Sequence, residues 1–215
     1  MAINVKKLKR VIVEDEPLKE FNSGDKKPAF RQNGYGLTFD AANSDFIQIP
    51  TFTFEDGKTV SFDIDFDNNG ILVLLGSSTE VNTYILINSN SVQLRDNTTG
   101  TTLLFVYTVT TNVKSVVVSM SSGEINVLVD GVDLGTKTAG NTQYLFNNIN
   151  KRTSFGYYSF TLFGFILGVE QFNFTESRGT TTTGSEGTIA TINTSNAGGV
   201  QYLDSTVWNK KSFAL

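Results

Sequence analysis

Between Gly36 and Phe174, apolar residues recur at every second position in short runs broken by turn residues. Thr59 to Phe66 is the clearest run. Val60, Phe62, Ile64 and Phe66 fall on one face of an extended chain, with Ser61, Asp63 and Asp65 on the other, the period of a strand with one buried and one solvated face. Leu37 to Asp40 and Phe46 to Pro50 alternate likewise around the turn Ala41–Asp45. Ile71 to Leu75 is a continuous apolar run after the turn Asp67-Asn68-Asn69-Gly70, and Tyr84 to Ile87, Val92 to Leu94 and Leu103 to Val109 follow. Val113 to Met120 and Ile125 to Val129 flank Ser121-Ser122-Gly123-Glu124, which reads as a hairpin, and Asp130-Gly131 is a further turn signal. Phe155 to Phe174 is rich in aromatics and predicts two strands around Gly164 or Gly168. No stretch sustains a 3.6-residue period with capping residues. Short strands at regular spacing predict an all-β sandwich or barrel.

The ends of the chain differ from this body. Residues 1–31 carry eight basic and five acidic side chains, leaving nine basic and sixteen acidic residues in the rest. A basic arm therefore precedes an acidic body, and Asn22 to Pro28 reads as a polar linker between them. The acidic body argues against binding a phosphate backbone. The acids interleaved in the arm favour a protein surface as its partner over nucleic acid, with Lys6, Lys7, Lys9 and Arg10 as the anchoring cluster. Residues 176–215 are Gly/Thr/Ser-rich with thinly spaced apolar groups: Ile189, Ile192, Val200, Tyr202, Val207 and Trp208. Such a segment buries these groups only against a neighbour, its own domain or another subunit. A homo-oligomer, dimer or trimer, with Trp208 at the contact is the expectation. The predicted division is an arm over 1–31, one domain over 32–175 and an extension over 176–215.

Composition narrows the chemistry. The 215 residues contain 17 Phe and no Cys or His. That removes disulfides, thiol nucleophiles, Ser-His-Asp triads and zinc sites built on Cys or His. No run approaches the roughly 18 apolar residues of a membrane span, and the N-terminus lacks the apolar stretch of a secretory signal. No membrane insertion is expected.

Four segments in order resemble the jelly rolls of the laminin-G and concanavalin A-like lectin family. Gly36 to Pro50, reading GLTFDAANSDFIQIP, is similar to the opening pair of strands, and Thr59 to Phe66 to the strand after them. Ile125 to Val132 resembles the family's strand ending in Val-Asp-Gly, and Phe163 to Phe174 its closing strand. The resemblance implies a jelly-roll β-sandwich with an N-terminal arm and a C-terminal extension. Thr182 to Tyr202 resembles segments of tailed-bacteriophage structural proteins. Together these imply a non-enzymatic virion component, of fibre, tail or head-decoration type, assembled in the bacterial cytoplasm. It would sit on the virion surface among other virion proteins and display a lectin-like domain to a host-surface polysaccharide. The alternatives are a secreted or cell-surface carbohydrate-binding module and a concanavalin-like glycoside hydrolase.

Two groups of residues carry candidate chemistry. Asp63, Asp65 and Asp67 share one face of an extended strand and are candidate ligands for a cation; no cofactor is required, and Ca²⁺ is the one considered. The same spacing resembles the carboxylate strand of concanavalin-like glucanases, but those enzymes use Glu where Asp stands here, and retaining chemistry needs carboxyls about 5–5.5 Å apart. Asp65 to Gly70 also opens like an EF-hand loop, yet the twelfth position is Gly76 where a bidentate Glu is needed. The bland reading of the three aspartates is a solvated strand face. Tyr157 and Tyr158 are the candidate sugar-stacking pair, since neighbours in a strand face opposite ways.

Overall fold

The computed structural model describes residues 36–67, 70–78, 83–96, 99–108, 112–151, 158–174, 181–193 and 201–203. The first strands are β1 (Gly36–Phe39), β2 (Phe46–Glu55), β3 (Thr59–Asp65), β4 (Leu72–Gly76), β5 (Tyr84–Ile87) and β6 (Ser91–Arg95). Next come β7 (Thr102–Val106), β8 (Val113–Ser121), β9 (Glu124–Val129), β10 (Val132–Thr138) and β11 (Gln143–Ile149). The last are β12 (Phe160–Leu167), β13 (Glu170–Asn173), β14 (Thr181–Thr183), β15 (Ile189–Asn193) and β16 (Gln201–Leu203). They form two eight-stranded antiparallel sheets. One runs β10-β9-β8-β3-β12-β1-β16 with β13 also on β12; the other runs β14-β15-β2-β11-β4-β5-β6-β7. The fold is an all-β sandwich, as the alternation predicts, and it is of the jelly-roll type that the resemblance implies.

The core lies between the sheets. Val60, Phe62, Ile64 and Phe66 all point into it, as their spacing requires. Phe165 of β12 stacks on Phe172 of β13 at 4.4 Å, and Phe39 of β1 stacks on Phe160 of β12 at 4.6 Å. Turn chemistry fixes the register. The two-residue links Ser122-Gly123 and Asp130-Gly131 both take positive φ at both positions, the arrangement that joins tightly twisted antiparallel strands. Ser115 and Asp130 then exchange bonds: Asp130 N–H donates to the Ser115 carbonyl, and Ser115 N–H donates to Asp130 Oδ1.

The solvated face expected on β3 is absent at Ser61 and Asp63, which are 4% and 0% exposed. Burial in this part of the sheet is two-sided: consecutive residues of β3 and of its neighbour β12 are buried on both faces. A second exception lies next door. Lys114 of β8 stands opposite Ile64 and is buried. Burial lowers its pKa, against the opposing pull of the Asp130 and Asp65 carboxylates.

The described parts of the expected extension, 181–193 and 201–203, are built into the chain's own sandwich. β15 pairs with β2 and seats Ile192 opposite Ile47, with Ala190 and Ile192 buried. β14 pairs with β15, and β16 pairs with β1. The stretch Thr182 to Tyr202 thus supplies strands to both sheets. Ile189 remains 58% exposed. Lys6, Lys7, Lys9, Arg10, Tyr157 and Trp208 lie outside the described residues.

One polar side chain holds the crossing from the second sheet to the first. Asn150 follows β11, is buried, and adopts φ 62°. Its Nδ2 donates to the carbonyls of Asp45 (2.9 Å) and Tyr158 (2.8 Å), and its Oδ1 accepts from Tyr158 N–H (3.1 Å). Asn150→Ala strands three backbone groups and is expected to cost about 3 kcal/mol, read by urea unfolding. Asn150→Gly, which tolerates the same φ, is expected to lose nearly as much; full stability in the glycine variant refutes the hydrogen-bond account.

Tyr107 gives a second expectation. Its hydroxyl donates to the Asn88 carbonyl at 2.6 Å, and burial, followed by the charge of Asp130, raises its pKa to about 12. The unfolded side chain ionises near 10.0. The folded state therefore holds a proton that the unfolded chain has lost, and this stabilisation, complete below pH 10, disappears as pH rises towards 12. Unfolding free energy measured between pH 9 and 12 should fall, and the Tyr107→Phe variant should show a shallower decline.

Candidate functional site

Three turns meet at one end of the sandwich and enclose a cleft of about 580 Å³. Its lining comes from the β2–β3 turn (Glu55, Asp56), the β8–β9 hairpin (Met120, Gly123) and the β10–β11 connection (Thr138 to Thr142). The first turn closes with Lys58 N–H on the Glu55 carbonyl at 3.0 Å, and Gly57 supplies the positive φ of 80°. Gly57 N–H then donates to the Met120 carbonyl, and Met120 N–H to the Lys58 carbonyl, which locks this turn onto β8.

Side chains join the other pieces. Asp56 Oδ1 accepts from Gly123 N–H at 2.9 Å, and the Gly123 carbonyl accepts from Ala139 N–H at 2.8 Å. Tyr144 of β11 reaches up from the core, and its hydroxyl oxygen accepts from the amides of Gly140 (3.1 Å) and Asn141 (3.2 Å). Burial raises the Tyr144 pKa, the two amide bonds oppose that, and the charge of Asp96 adds to it. Gly140 packs so closely on Thr99 and Thr101 that an added Cβ would meet Thr99 Oγ1 at 3.0 Å. The 139–142 loop is thus fixed from below by a tyrosine and from the side by the chain leading into β7.

The resulting surface is polar at the rim and apolar at the floor. Glu55, Asp56, Asn141, Thr138 and Thr142 offer carboxylate, amide and hydroxyl groups, while Met120 and Ala139 provide hydrocarbon. Among the described residues nothing bonds to the Glu55 carboxylate. Neither nearby lysine lines the cleft. Lys58 extends towards Gly168, and the Lys137 ammonium lies 5.8 Å from the centre of the Phe105 ring. Such a surface can accept hydrogen bonds from a hydroxyl-rich ligand and cover its C–H face.

The residues singled out from sequence lie elsewhere. Asp63 is buried in mid-sheet, opposite Ser115 and Gly164. Asp65 closes β3, and Asp67 lies past the strand and accepts from the Tyr158 hydroxyl at 3.0 Å. Each of the three has an interaction partner in the chain. Among the described residues, no group of three or more acidic side chains is placed to hold a metal ion. Tyr158 precedes β12 rather than lying in a strand. Its ring meets Phe66 edge-on at 5.2 Å and covers Gly70, where any Cβ would overlap it. Burial, then the bond to Asp67 and its charge, raise the Tyr158 pKa.

No family model and no curated protein matches the sequence. Among solved structures, the chain is similar to a candidate carbohydrate-binding protein from Bacteroides ovatus ATCC 8483, with 12% identity and a TM-score of 0.56 over 79% of this chain and 59% of that one. The likeness is one of fold. The LG1-3 region of the laminin alpha2 chain matches at 13% identity and TM-score 0.49, over 66% of this chain and 28% of that one. Domains LG4-5 of the mouse laminin alpha1 chain match at 10% identity and TM-score 0.48, over 63% and 42%. This chain spans less than two thirds of the length of each of these three proteins.

The cleft residues escape a reading of sequence because they come from three connections far apart in the chain. The local signals are present, Asp56-Gly57 and Ser122-Gly123 among them, but they announce turns and not that the turns converge. Tyr144→Phe removes the acceptor of two amides and is expected to cost about 1–3 kcal/mol. Hydrogen exchange at Gly140 and Asn141 should speed up in that variant; unchanged exchange there would show that the loop is held by other contacts.

Proposed function

We propose that this protein is a non-enzymatic glycan-binding module that takes neutral saccharide units in the rim cleft. The observation that carries the reading is the lining itself: two carboxylates, an amide and two threonines above a Met120–Ala139 floor, in a volume of about 580 Å³. Carboxylates accept charge-assisted hydrogen bonds from vicinal hydroxyls. The hydrocarbon floor suits the apolar face of a pyranose ring. The cleft size falls within the range of about 300–1,000 Å³ usual for small-molecule sites. Fold likeness to a candidate carbohydrate-binding protein supports the same reading.

The charge of the lining sets the preference within glycans. Glu55 and Asp56 stand at the rim with no lysine or arginine beside them in the lining. Uronic, sulfated or phosphorylated units would meet like charge. The placement of the two carboxylates favours binding without turnover. Glu55 and Asp56 are consecutive in a turn, and Asp56 already serves as acceptor for the Gly123 amide.

The test is titration of the full chain with matched neutral and uronic oligosaccharides, alongside Glu55→Gln and Asp56→Asn. The Asn variant retains an oxygen for Gly123 N–H, so the turn should survive. Neutral ligands are expected to bind, and each substitution to weaken binding by about tenfold through loss of a charge-assisted bond. No release of new reducing ends is expected. Absence of neutral-glycan binding, or binding indifferent to both substitutions, overturns the assignment.

A further inference from the structure

The four sheet ends are unequal. β10, ending the first sheet, carries Asp133 and Lys137 and is broken by a register shift between Asp133 and Thr136, with Gly135 at φ 86°. β14 and β16 are three residues each, and Gly184, beside β14, bridges to Phe172 of β13. Short length, charge and bulges are the devices that keep an edge from pairing with another chain. β7, ending the second sheet, has none of them. Its register with β6 runs unbroken from Ser91 opposite Val106 to Arg95 opposite Thr102. From 97 to 113 the sequence holds no charged residue and no proline.

Among the described residues, the backbone shows which groups of β7 have no strand beside them. Tyr107 N–H donates to the Asn90 carbonyl, and the Thr101 carbonyl accepts from Asp96 N–H. By alternation Thr101, Leu103, Phe105 and Tyr107 face β6, and Thr102, Leu104 and Val106 turn their amides and carbonyls to the edge. The same three residues project outwards from the sandwich, with Leu104 45% and Val106 64% exposed.

We propose that β7 pairs antiparallel with β7 of a second copy of this chain, about a twofold axis at Leu104. That register sets Leu104 against Leu104 and Thr102 against Val106, and the outward groups then make about six inter-strand hydrogen bonds. The choice of a second copy rests on charge and symmetry. Residues beyond 31 carry sixteen acidic against nine basic side chains, so two copies of this body have like net charge, and an uncharged strip is where that opposes contact least. A strand with no charge meets itself without a like-charge pair, as a twofold contact requires. Gly140 of the rim cleft packs on Thr99 and Thr101 at the start of β7. The paired assembly therefore carries two clefts, one per copy, and two-site engagement would raise the apparent affinity for a repeating polymer.

Sedimentation equilibrium of the full chain across concentration tests this, with circular dichroism as the check on folding. The unaltered chain should dimerise. Leu104→Lys and Leu104→Glu each place like charges on the axis and should weaken self-association by about tenfold or more. An equimolar mixture of the two variants should restore a one-to-one dimer, which only self-opposed Leu104 predicts. Val132→Lys, on the guarded β10 edge, should leave association unchanged. A chain that stays monomeric at high concentration, a Leu104→Lys variant that dimerises as before, a mixture that fails to pair, or loss of the dimer in Val132→Lys overturns the proposal.

Discussion

A sandwich must carry its chain repeatedly from one sheet to the other, and each crossing exposes backbone groups that no ladder satisfies. The crossing after β11 shows how this chain meets that constraint. One carboxamide, on Asn150, imitates a strand neighbour. It accepts from Tyr158 N–H, donates to Tyr158 C=O, and uses its second hydrogen for Asp45. Asn150 N–H meanwhile donates to the Val73 carbonyl of β4. Four distant stretches are thus joined at one buried point. The positive φ there is a conformation that asparagine tolerates better than most residues. Entry of the chain into β12 follows from this point, and with it the seating of Tyr158 against Phe66 and of Phe160 against Phe39.

Most of the fold was legible where a strand has one face in the core and constant parity. Val60 to Phe66 and the hairpin around Ser122-Gly123 are of that kind. Legibility failed where parity breaks or burial is two-sided. In β11, Tyr144 and Phe146 point inward, and then a register shift between Phe146 and Asn148 changes the phase before Ile149. The same shift lets β2 run ten residues through Pro50, since a proline is tolerated where the ladder is already interrupted. β10 has no apolar period because it is an exposed edge. At Asp63 the alternation is real and only the inference of solvent is wrong: β3 and β12 are buried on both faces there, and alternation alone does not say what covers the second face. The candidate site was less legible than the fold, because Glu55 and Asn141 are neighbours only through topology.

Part of the cleft's lining is separate from what holds it. Its turns are joined largely by main-chain bonds, such as Gly57 N–H to the Met120 carbonyl and Ala139 N–H to the Gly123 carbonyl, with Tyr144 as the main side-chain support. Glu55, Thr138 and Thr142 contribute lining without carrying that framework. Lining residues of this kind can vary without disturbing the core, which is how one scaffold serves different ligands.

The pairing of β1 with β16 brings the two ends of the described fold together, with Gly36 opposite Leu203. Three antiparallel residue pairs close the sheet there. A pulling force applied to the chain at these two points acts across the ladder rather than along it, so the pairs separate in sequence instead of all at once. If the flanking segments 1–35 and 204–215 ever transmit tension, the sandwich meets it in the direction where a sheet is weakest. The β1–β16 seam then opens like a zip before the core between the sheets bears any load.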